Sequence, residues 1–221
     1  MIKGAIFDID GTLLDSMCIW DTIGEKYLHS LGKEPQENLA ETFKTFTLRQ
    51  SAEYYRKNYG VSLSVEEIIN SINEMVADFY IKTVPLKKGV IEFLDKLKDK
   101  GVKMCIATVT DKHLVEVALK RCGVYEYFSE IFTCASVGYS KETPHIYREA
   151  QKHLGTEKSN TVVFEDVYHA LKMVKDEGFL CTAIYDEHEH MQEEIKHLAA
   201  YYLEDFTDFE GFWSSINKNE K

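Results

Sequence analysis

Apolar and polar positions alternate in regular blocks along most of this chain. Short apolar runs of strand length are separated by stretches whose apolar residues recur every three or four positions, the spacing of amphipathic helices. The predicted strands span 2–8, 102–108, 130–135, 160–166, 179–185 and 200–206, and the predicted helices span 89–101, 111–123, 143–155, 167–178 and 190–199. This alternation predicts an α/β fold, a doubly wound parallel sheet with helices on both faces.

The segment after the first strand breaks this rhythm and contains only helical patterns. One predicted helix spans 18–31 and a second lies within 36–58. A third begins at Ser64, where Glu67 three positions later completes a capping box, and runs toward Pro85. The sequence therefore predicts an α/β core made of residues 1–15 and 86–221, with a helical domain of residues 16–85 inserted into it.

Composition excludes several classes of function. The chain has 221 residues, of which 44% are hydrophobic and 29% charged, as in soluble globular proteins. Its formal net charge of −11 argues against nucleic-acid binding, which needs basic surface. No apolar run approaches the length of a bilayer span, and the N-terminal run is too short for a signal peptide, so we expect a cytoplasmic protein without membrane contact. The five cysteines form no C-x-x-C pair, which argues against a zinc site.

Acidic side chains follow two of the predicted strands at the point where each strand ends. Asp8 and Asp10 close the first strand, and Glu165 and Asp166 close the strand 160–166. Because the carboxyl ends of parallel strands meet at one edge of a sheet, we expect these acids to lie close together. Ordinary turn acids are the alternative for Asp8 and Asp10, but that alternative leaves the second acid pair unexplained. The acids predict a site for a hard divalent cation with oxygen ligands.

Two further polar residues are expected at the same edge. Thr108 ends the strand 102–108, and Lys141 precedes the helix 143–155. A carboxylate can attack phosphorus, and a second acid two residues on can protonate the leaving oxygen and then activate water. An ammonium and a hydroxyl can hold the phosphoryl oxygens. The set predicts phosphoryl transfer, although a solvated lysine and a buried strand threonine are the alternatives for Lys141 and Thr108.

The motif Asp8-x-Asp10-Gly11-Thr12 resembles the first motif of the haloacid dehalogenase superfamily. The other three motifs of that superfamily follow in order. Thr108 in "MCIAT" resembles the second, Lys141-x-x-Pro144 resembles the third, and Glu165-Asp166 in "VVFEDV" resembles the fourth. The resemblance covers nearly the whole chain, and it implies a Rossmann-like core with a helical cap, as in the beta-phosphoglucomutase and phosphoglycolate phosphatase branch.

The resemblance implies a role for each of these positions. Asp8 would be the nucleophile that forms a phospho-aspartyl intermediate, and Asp10 would be the general acid/base. Thr108 and Lys141 would bind the phosphoryl group as part of the catalytic set. Mg²⁺ is the implied cofactor, with ligands from Asp8, the backbone carbonyl of Asp10, Asp166 and Glu165, the last directly or through water.

Two residues favour a phosphatase over a mutase within that branch. The mutases place a histidine in the first cap helix roughly where this chain has Trp20, and they often lack the threonine found here as Thr12. The third motif also departs from the common pattern, because Glu142 and His145 stand where proline and aspartate are frequent. We expect an Mg²⁺-dependent phosphatase for a small phosphorylated metabolite. A phosphosugar mutase and a non-catalytic phosphometabolite-binding protein remain the alternatives.

Residues outside the motifs give weaker signals. Arg49 is a candidate substrate contact from the cap, with a solvated helix charge as an equal alternative. Trp20 and Tyr54 are predicted to pack in the core of the insert. The tract "DEHEH" at 186–190 is interpreted as a solvated helix start rather than a metal site. We expect a monomer or a weak dimer.

Overall fold

The structure is a computed structural model that describes residues 1–43 and 46–217. The chain forms two compact units. The core unit comprises Met1–Ser16 and Val84–Lys221, and the insert unit comprises Met17–Thr83. Within the described residues, no helix combines the length and the apolar character that crossing a bilayer would require.

The elements follow the predicted alternation. The strands are β1 (Gly4–Phe7), β2 (Lys103–Thr108), β3 (Ile131–Thr133), β4 (Thr161–Glu165), β5 (Leu180–Ile184) and β6 (Tyr201–Leu203). The helices of the insert unit are α1 (Cys18–Ser30), α2 (Leu39–Phe43), α3 (Leu48–Tyr59) and α4 (Val65–Lys82). Those of the core unit are α5 (Val90–Asp99), α6 (Lys112–Arg121), α7 (Cys134–Val137), α8 (His145–Leu154), α9 (Tyr168–Asp176), α10 (Gln192–Leu198) and α11 (Phe209–Ile216). Two single 3₁₀ turns cover Tyr125–Tyr127 and Lys158–Asn160.

All strand pairs are parallel, and the sheet order is β3-β2-β1-β4-β5-β6. The chain starts at the centre of the sheet, moves outward to β3, and returns to β4 on the other side of β1. The strand order therefore reverses between β1 and β4, and open α/β sheets bind ligands beyond the carboxyl ends of the strands at such a point. This topology confirms the predicted doubly wound parallel sheet.

Alternate strand residues bury opposite faces of the sheet. On one face, Ile6 and Val163 lie in a cluster with side chains of α8, α9 and α10. On the other face, the rings of Phe7 and Phe164 stack with their centroids 4.3 Å apart. Phe212 of α11 lies 5.3 Å from the Phe164 ring. Helices thus cover both faces, so the strands need apolar residues throughout, and this explains their nearly continuous apolar runs.

The insert unit has its own apolar core. Ile23, Tyr27 and Tyr55 are among its buried residues. The predicted capping box at Ser64 is present, since its hydroxyl accepts from the backbone N–H of Glu67. The region 36–58 contains two helices, α2 and α3, rather than one, and positions 44 and 45 within it lie outside the described residues.

Trp20 contradicts the prediction that it packs in this core, because it is 44% exposed. Successive residues of a helix are rotated by about 100°. Ile19 and Ile23 face the apolar core of the insert, and Trp20 is turned away from their stripe.

The core unit also differs from the predictions at its carboxyl-terminal half. The strand predicted to reach 135 ends at Thr133, because Thr133 forms a capping box with Ser136 and begins α7. The last predicted strand ends at Leu203 instead of 206. Helix α11 was not predicted, and it begins where the Asp208 carboxylate accepts from the backbone N–H of Gly211 at 3.1 Å.

Candidate active site

Three buried carboxylates lie together where β1 and β4 end. Asp8 follows β1 directly, and its backbone N–H donates to the carbonyl of Phe164 in β4 at 3.0 Å. This register sets Asp8 beside Glu165, the last residue of β4, and Asp166 follows. One oxygen from each of the three acids lies within 4.8 Å of the others. The predicted meeting of acids from two strands is therefore present at the point where the strand order reverses.

Lys141 contacts both Asp8 of the first motif and Glu165 of the fourth motif. Its Nζ forms an ion pair with Oδ1 of Asp8 and lies 2.6 Å from Oε1 of Glu165. The lysine side chain is only 13% exposed, so solvent screens these pairs weakly. The same Glu165 oxygen accepts from the hydroxyl of Tyr147 at 2.8 Å. The alternative of a solvated surface lysine is thus excluded for Lys141 by its burial and its two partners.

Asp10 is held by two hydroxyl groups. Ser16 donates to its Oδ1 at 2.8 Å, and Thr110 donates to its Oδ2 at 2.5 Å. The backbone N–H of Thr110 in turn donates to the hydroxyl of Thr108 at 3.1 Å. Thr108 is fully buried at the end of β2, which places it next to the loop that orients Asp10. Two hydrogen bonds thus fix the carboxylate that the first motif predicts as the acid/base.

The turn after Asp10 packs directly against the fourth motif. Thr12 donates from its hydroxyl to Oδ1 of Asp166 at 2.8 Å, and both side chains are buried. Gly11 has a φ of +73°, and a Cβ at this position would stand 2.3 Å from Oδ2 of Asp166. Only glycine allows this conformation and this approach together. The Gly-Thr pair of the first motif therefore serves to position Asp166.

The electrostatics of the cluster depend on its burial. Burial, followed by the nearby Glu165 carboxylate, raises the pKa of Asp8 from 3.8 to about 8, although Lys141 opposes this rise. Burial and the carboxylates of Glu165 and Asp8 likewise hold the pKa of Asp166 well above its ordinary range. Burial lowers the pKa of Lys141, but Asp8 and Glu165 outweigh it and keep that pKa above the ordinary value. One ammonium is insufficient to neutralise three close carboxylates.

This donor set fits a hard divalent cation. The three acids offer several carboxylate oxygens in a buried space, and oxygen is the ligand that Mg²⁺ and Ca²⁺ prefer. A cation would supply the positive charge that burial denies the acids, and it would return the pKa of Asp8 toward its usual range. The geometry is consistent with the predicted ligands Asp8, Glu165 and Asp166.

Arg49 lies on α3 in the insert unit. Its Nη2 donates to Oε1 of Glu66 at 2.9 Å, and both side chains are more than half exposed. This pairing matches the interpretation of a surface helix charge. Its role as a substrate contact stays a prediction.

The tract 186–190 differs from its interpretation as a solvated helix start, because its first residue is buried. Asp186 is 3% exposed, and it forms an ion pair with Nζ of Lys87 at 2.8 Å. The backbone N–H and Nδ1 of His188 lie 3.0 and 2.8 Å from its Oδ1. Although burial opposes it, the hydrogen bond from Lys87 lowers the pKa of Asp186 below its ordinary value. Asp186 therefore serves to tie the end of β5 to the segment that precedes α5.

The sheet topology and the site define an α/β protein that carries an aspartate pair at the end of its first strand. The family model described as "Haloacid dehalogenase-like hydrolase" matches residues 5–184. The chain belongs to this family of enzymes, as the four motifs indicated.

Known proteins similar to this chain carry phosphatase and phosphomutase names. The chain is 27% identical over 209 residues to the candidate phosphatase YhcW of Bacillus subtilis (strain 168), a match covering 88% of this chain and 93% of the relative. It is 26% identical over 167 residues to Hexitol phosphatase B of Escherichia coli (strain K12), covering 75% of each chain. A crystal structure of a candidate beta-phosphoglucomutase from Thermotoga maritima superposes with a TM-score of 0.85 at 20% identity, covering 96% of this chain and 99% of that one. The last likeness concerns the fold.

Proposed function

We propose that this enzyme is an Mg²⁺-dependent phosphatase that hydrolyses a small phosphorylated metabolite through a phospho-aspartyl intermediate at Asp8. The observation that carries the proposal is the contact of Lys141 with both Asp8 and Glu165, inside a cluster of three buried carboxylates. Phosphoryl transfer needs a nucleophilic carboxylate, a positively charged side chain and a site for a divalent metal ion at one point. Asp8, the ammonium of Lys141 and the acid cluster would supply them.

Mg²⁺ would be held by carboxylate oxygens of Asp8, Glu165 and Asp166, with the backbone carbonyl of Asp10 as a further ligand. When bound, the ion neutralises the phosphoryl oxygens and the carboxylates that face them. Lys141 would contribute a second positive charge beside the attacking oxygen. Thr108, at the end of the neighbouring strand, would donate to a phosphoryl oxygen.

The chemical steps follow from the two aspartates. An oxygen of Asp8 attacks phosphorus as the bond between phosphorus and the ester oxygen breaks. Asp10 gives its proton to that leaving oxygen, so the alcohol departs neutral. Asp10, now a carboxylate, takes a proton from water as the water oxygen attacks phosphorus. The bond from phosphorus to Asp8 then breaks, and inorganic phosphate leaves with Asp8 regenerated.

The substrate class is supported by a named relative. Hexitol phosphatase B carries the name of a phosphatase for hexitols. This name favours a phosphorylated sugar or sugar alcohol as the substrate. Because the chain carries a formal net charge of −11, an anionic substrate needs cations concentrated at the site. Lys141 and Mg²⁺ would provide them. The insert unit would act as the cap, and Arg49 is the candidate cap contact to substrate.

A phosphosugar mutase is the second candidate, since its first half-reaction would use the same aspartates. Trp20 argues against it, because the mutase branch places a histidine roughly at this position and an indole has no basic nitrogen to replace it. The test incubates the enzyme with hexose phosphates and hexitol phosphates, with and without Mg²⁺, and follows inorganic phosphate and isomerised ester together. We expect phosphate release that requires the metal. Isomer formation much faster than phosphate release would favour the mutase over the phosphatase. Absence of both products across a broad panel of phosphoesters would favour a non-catalytic protein that binds phosphorylated metabolites.

A further inference from the structure

Tyr147 is a buried polar residue that the proposed reaction does not use. It lies in the first turn of α8 and is 1% exposed. Its ring belongs to the apolar cluster on one face of the sheet. Its hydroxyl reaches out of that cluster and donates to Oε1 of Glu165 at 2.8 Å. A role in packing alone would be met by phenylalanine, so the hydroxyl calls for another explanation.

The hydroxyl shares its acceptor with the lysine of the third motif. Nζ of Lys141 lies 2.6 Å from the same Oε1, and it also contacts Asp8. Two donors on one oxygen fix the plane and the rotation of the Glu165 carboxyl group. They also leave the other oxygen, Oε2, as the one available for a cation. The hydrogen bond from Tyr147 also stabilises the negative charge of Glu165. Lys141 is therefore not needed by Glu165 alone and can keep its ion pair with Asp8.

We propose that Tyr147 is a positioning residue that sets the orientation of Glu165 for metal binding and keeps Lys141 shared between Glu165 and Asp8. The inference rests on the proposed Mg²⁺ site. Groups that hydrogen-bond to metal ligands commonly affect metal affinity by about 10- to 100-fold. Tyr147 lies on α8, which packs against the sheet, so its hydroxyl is held in a fixed position beside Glu165.

The test compares Tyr147→Phe with a matched control, Tyr202→Phe. The control removes a hydroxyl of the same core unit that donates to Gln192 at 3.0 Å, within the carboxyl-terminal part of the chain. Mg²⁺ binding is measured by calorimetry on substrate-free protein, and the melting temperature of each variant is recorded without metal. We expect Tyr147→Phe to raise the dissociation constant for Mg²⁺ by about 10-fold or more, and Tyr202→Phe to leave it unchanged.

A double-mutant cycle identifies the partner through which Tyr147 acts. Adding Tyr147→Phe to a Glu165→Gln variant should change Mg²⁺ affinity much less than adding it to the wild type, because contacting residues couple. An equal effect in both backgrounds would show a structural role and overturn the inference, as would unchanged affinity in Tyr147→Phe alone. If Tyr147→Phe does not fold, the hydroxyl is essential to the fold, and the inference of a positioning role is overturned. A wild-type protein that binds no Mg²⁺ would instead refute the metal site of the proposed function.

Discussion

Gly11 offers a perturbation whose effect can be worked out from the structure. It has a φ of +73°, and a Cβ there would lie 2.3 Å from Oδ2 and 2.8 Å from Cγ of Asp166. Gly11→Ala therefore imposes two separate penalties. The first is the left-handed backbone conformation, and the second is the displacement of a carboxylate from the acidic cluster.

Gly101→Ala is the matched control for the first penalty. Gly101 has a φ of +72°, and a Cβ there would meet nothing within 4 Å. It should lose only about 1–2 kcal/mol of unfolding free energy, the cost of a left-handed alanine. Gly11→Ala should lose about 1–3 kcal/mol more, because moving Asp166 breaks its hydrogen bond with Thr12 and leaves a buried polar group unsatisfied. For a chain of this size each kcal/mol lowers the melting temperature by roughly 2–4 °C.

The assay measures denaturant unfolding and melting temperature with and without Mg²⁺. A ligand that binds only the folded state raises the melting temperature, so Mg²⁺ should stabilise the wild type and Gly101→Ala. It should stabilise Gly11→Ala much less, since Asp166 no longer faces the site. Equal losses in the two variants, together with equal stabilisation by Mg²⁺, would show that the Asp166 carboxylate does not lie against Gly11.

Two further predictions concern protons and the acid/base. Without metal, burial raises the pKa of Asp8 to about 8. The folded state therefore holds the carboxyl proton of Asp8 more tightly than the unfolded state does. The contribution of Asp8 to stability is present at acid pH and is lost as the pH rises to about 8. Mg²⁺ must displace that proton, so the affinity of the protein for Mg²⁺, measured by calorimetry, should increase over the same pH range. An affinity for Mg²⁺ that does not change with pH would contradict the placement of Asp8 as a ligand. Thr110→Val should lower kcat by roughly tenfold or more, because it removes a hydrogen bond of 2.5 Å to the Asp10 carboxylate and such bonds to charged groups contribute about 1.5–3 kcal/mol. Thr110→Ser should retain most of the rate, and equal loss in the serine variant would indicate packing instead.

The parts of the site that could be predicted from sequence are those tied to strand ends. Asp8 and Glu165 end their apolar runs in the same way, and parallel strands bring such ends to one edge. The register that pairs Phe7 with Phe164 then sets the two acids side by side. Because the fold follows from local periodicity, neither step needed knowledge of distant side chains.

The hydrogen-bond network around the acids could not be predicted in this way. Thr110 and Asp10 are 100 residues apart, and Tyr147 and Glu165 lie on different elements. Only the packing of β2 and α8 beside β1 and β4 brings these partners together. Ser16 is a similar case, since a serine six residues after an aspartate has no characteristic pattern.

Helix α11 does carry a local signal in the sequence, although it was not predicted. Phe209, Phe212 and Ile216 recur at helical spacing and are all buried, and Asp208 caps the helix. The helix has only eight residues, which is too short for the spacing of its apolar residues to distinguish a helix from other structures. Its burial against Phe93 and Phe164 supplies the stability that its length does not.

The central claim is that Asp8 receives the phosphoryl group, and chemical trapping tests it most directly. The enzyme is mixed with Mg²⁺ and a substrate found in the phosphoester panel, quenched during turnover, and treated with borohydride, which reduces an acyl phosphate to an alcohol. Mass spectrometry of the peptides should then find homoserine at position 8. Asp8→Asn, which is nearly isosteric, should fold normally, release no phosphate and give no homoserine. Turnover without any modification at position 8, together with substantial phosphate release by Asp8→Asn, would contradict the covalent mechanism.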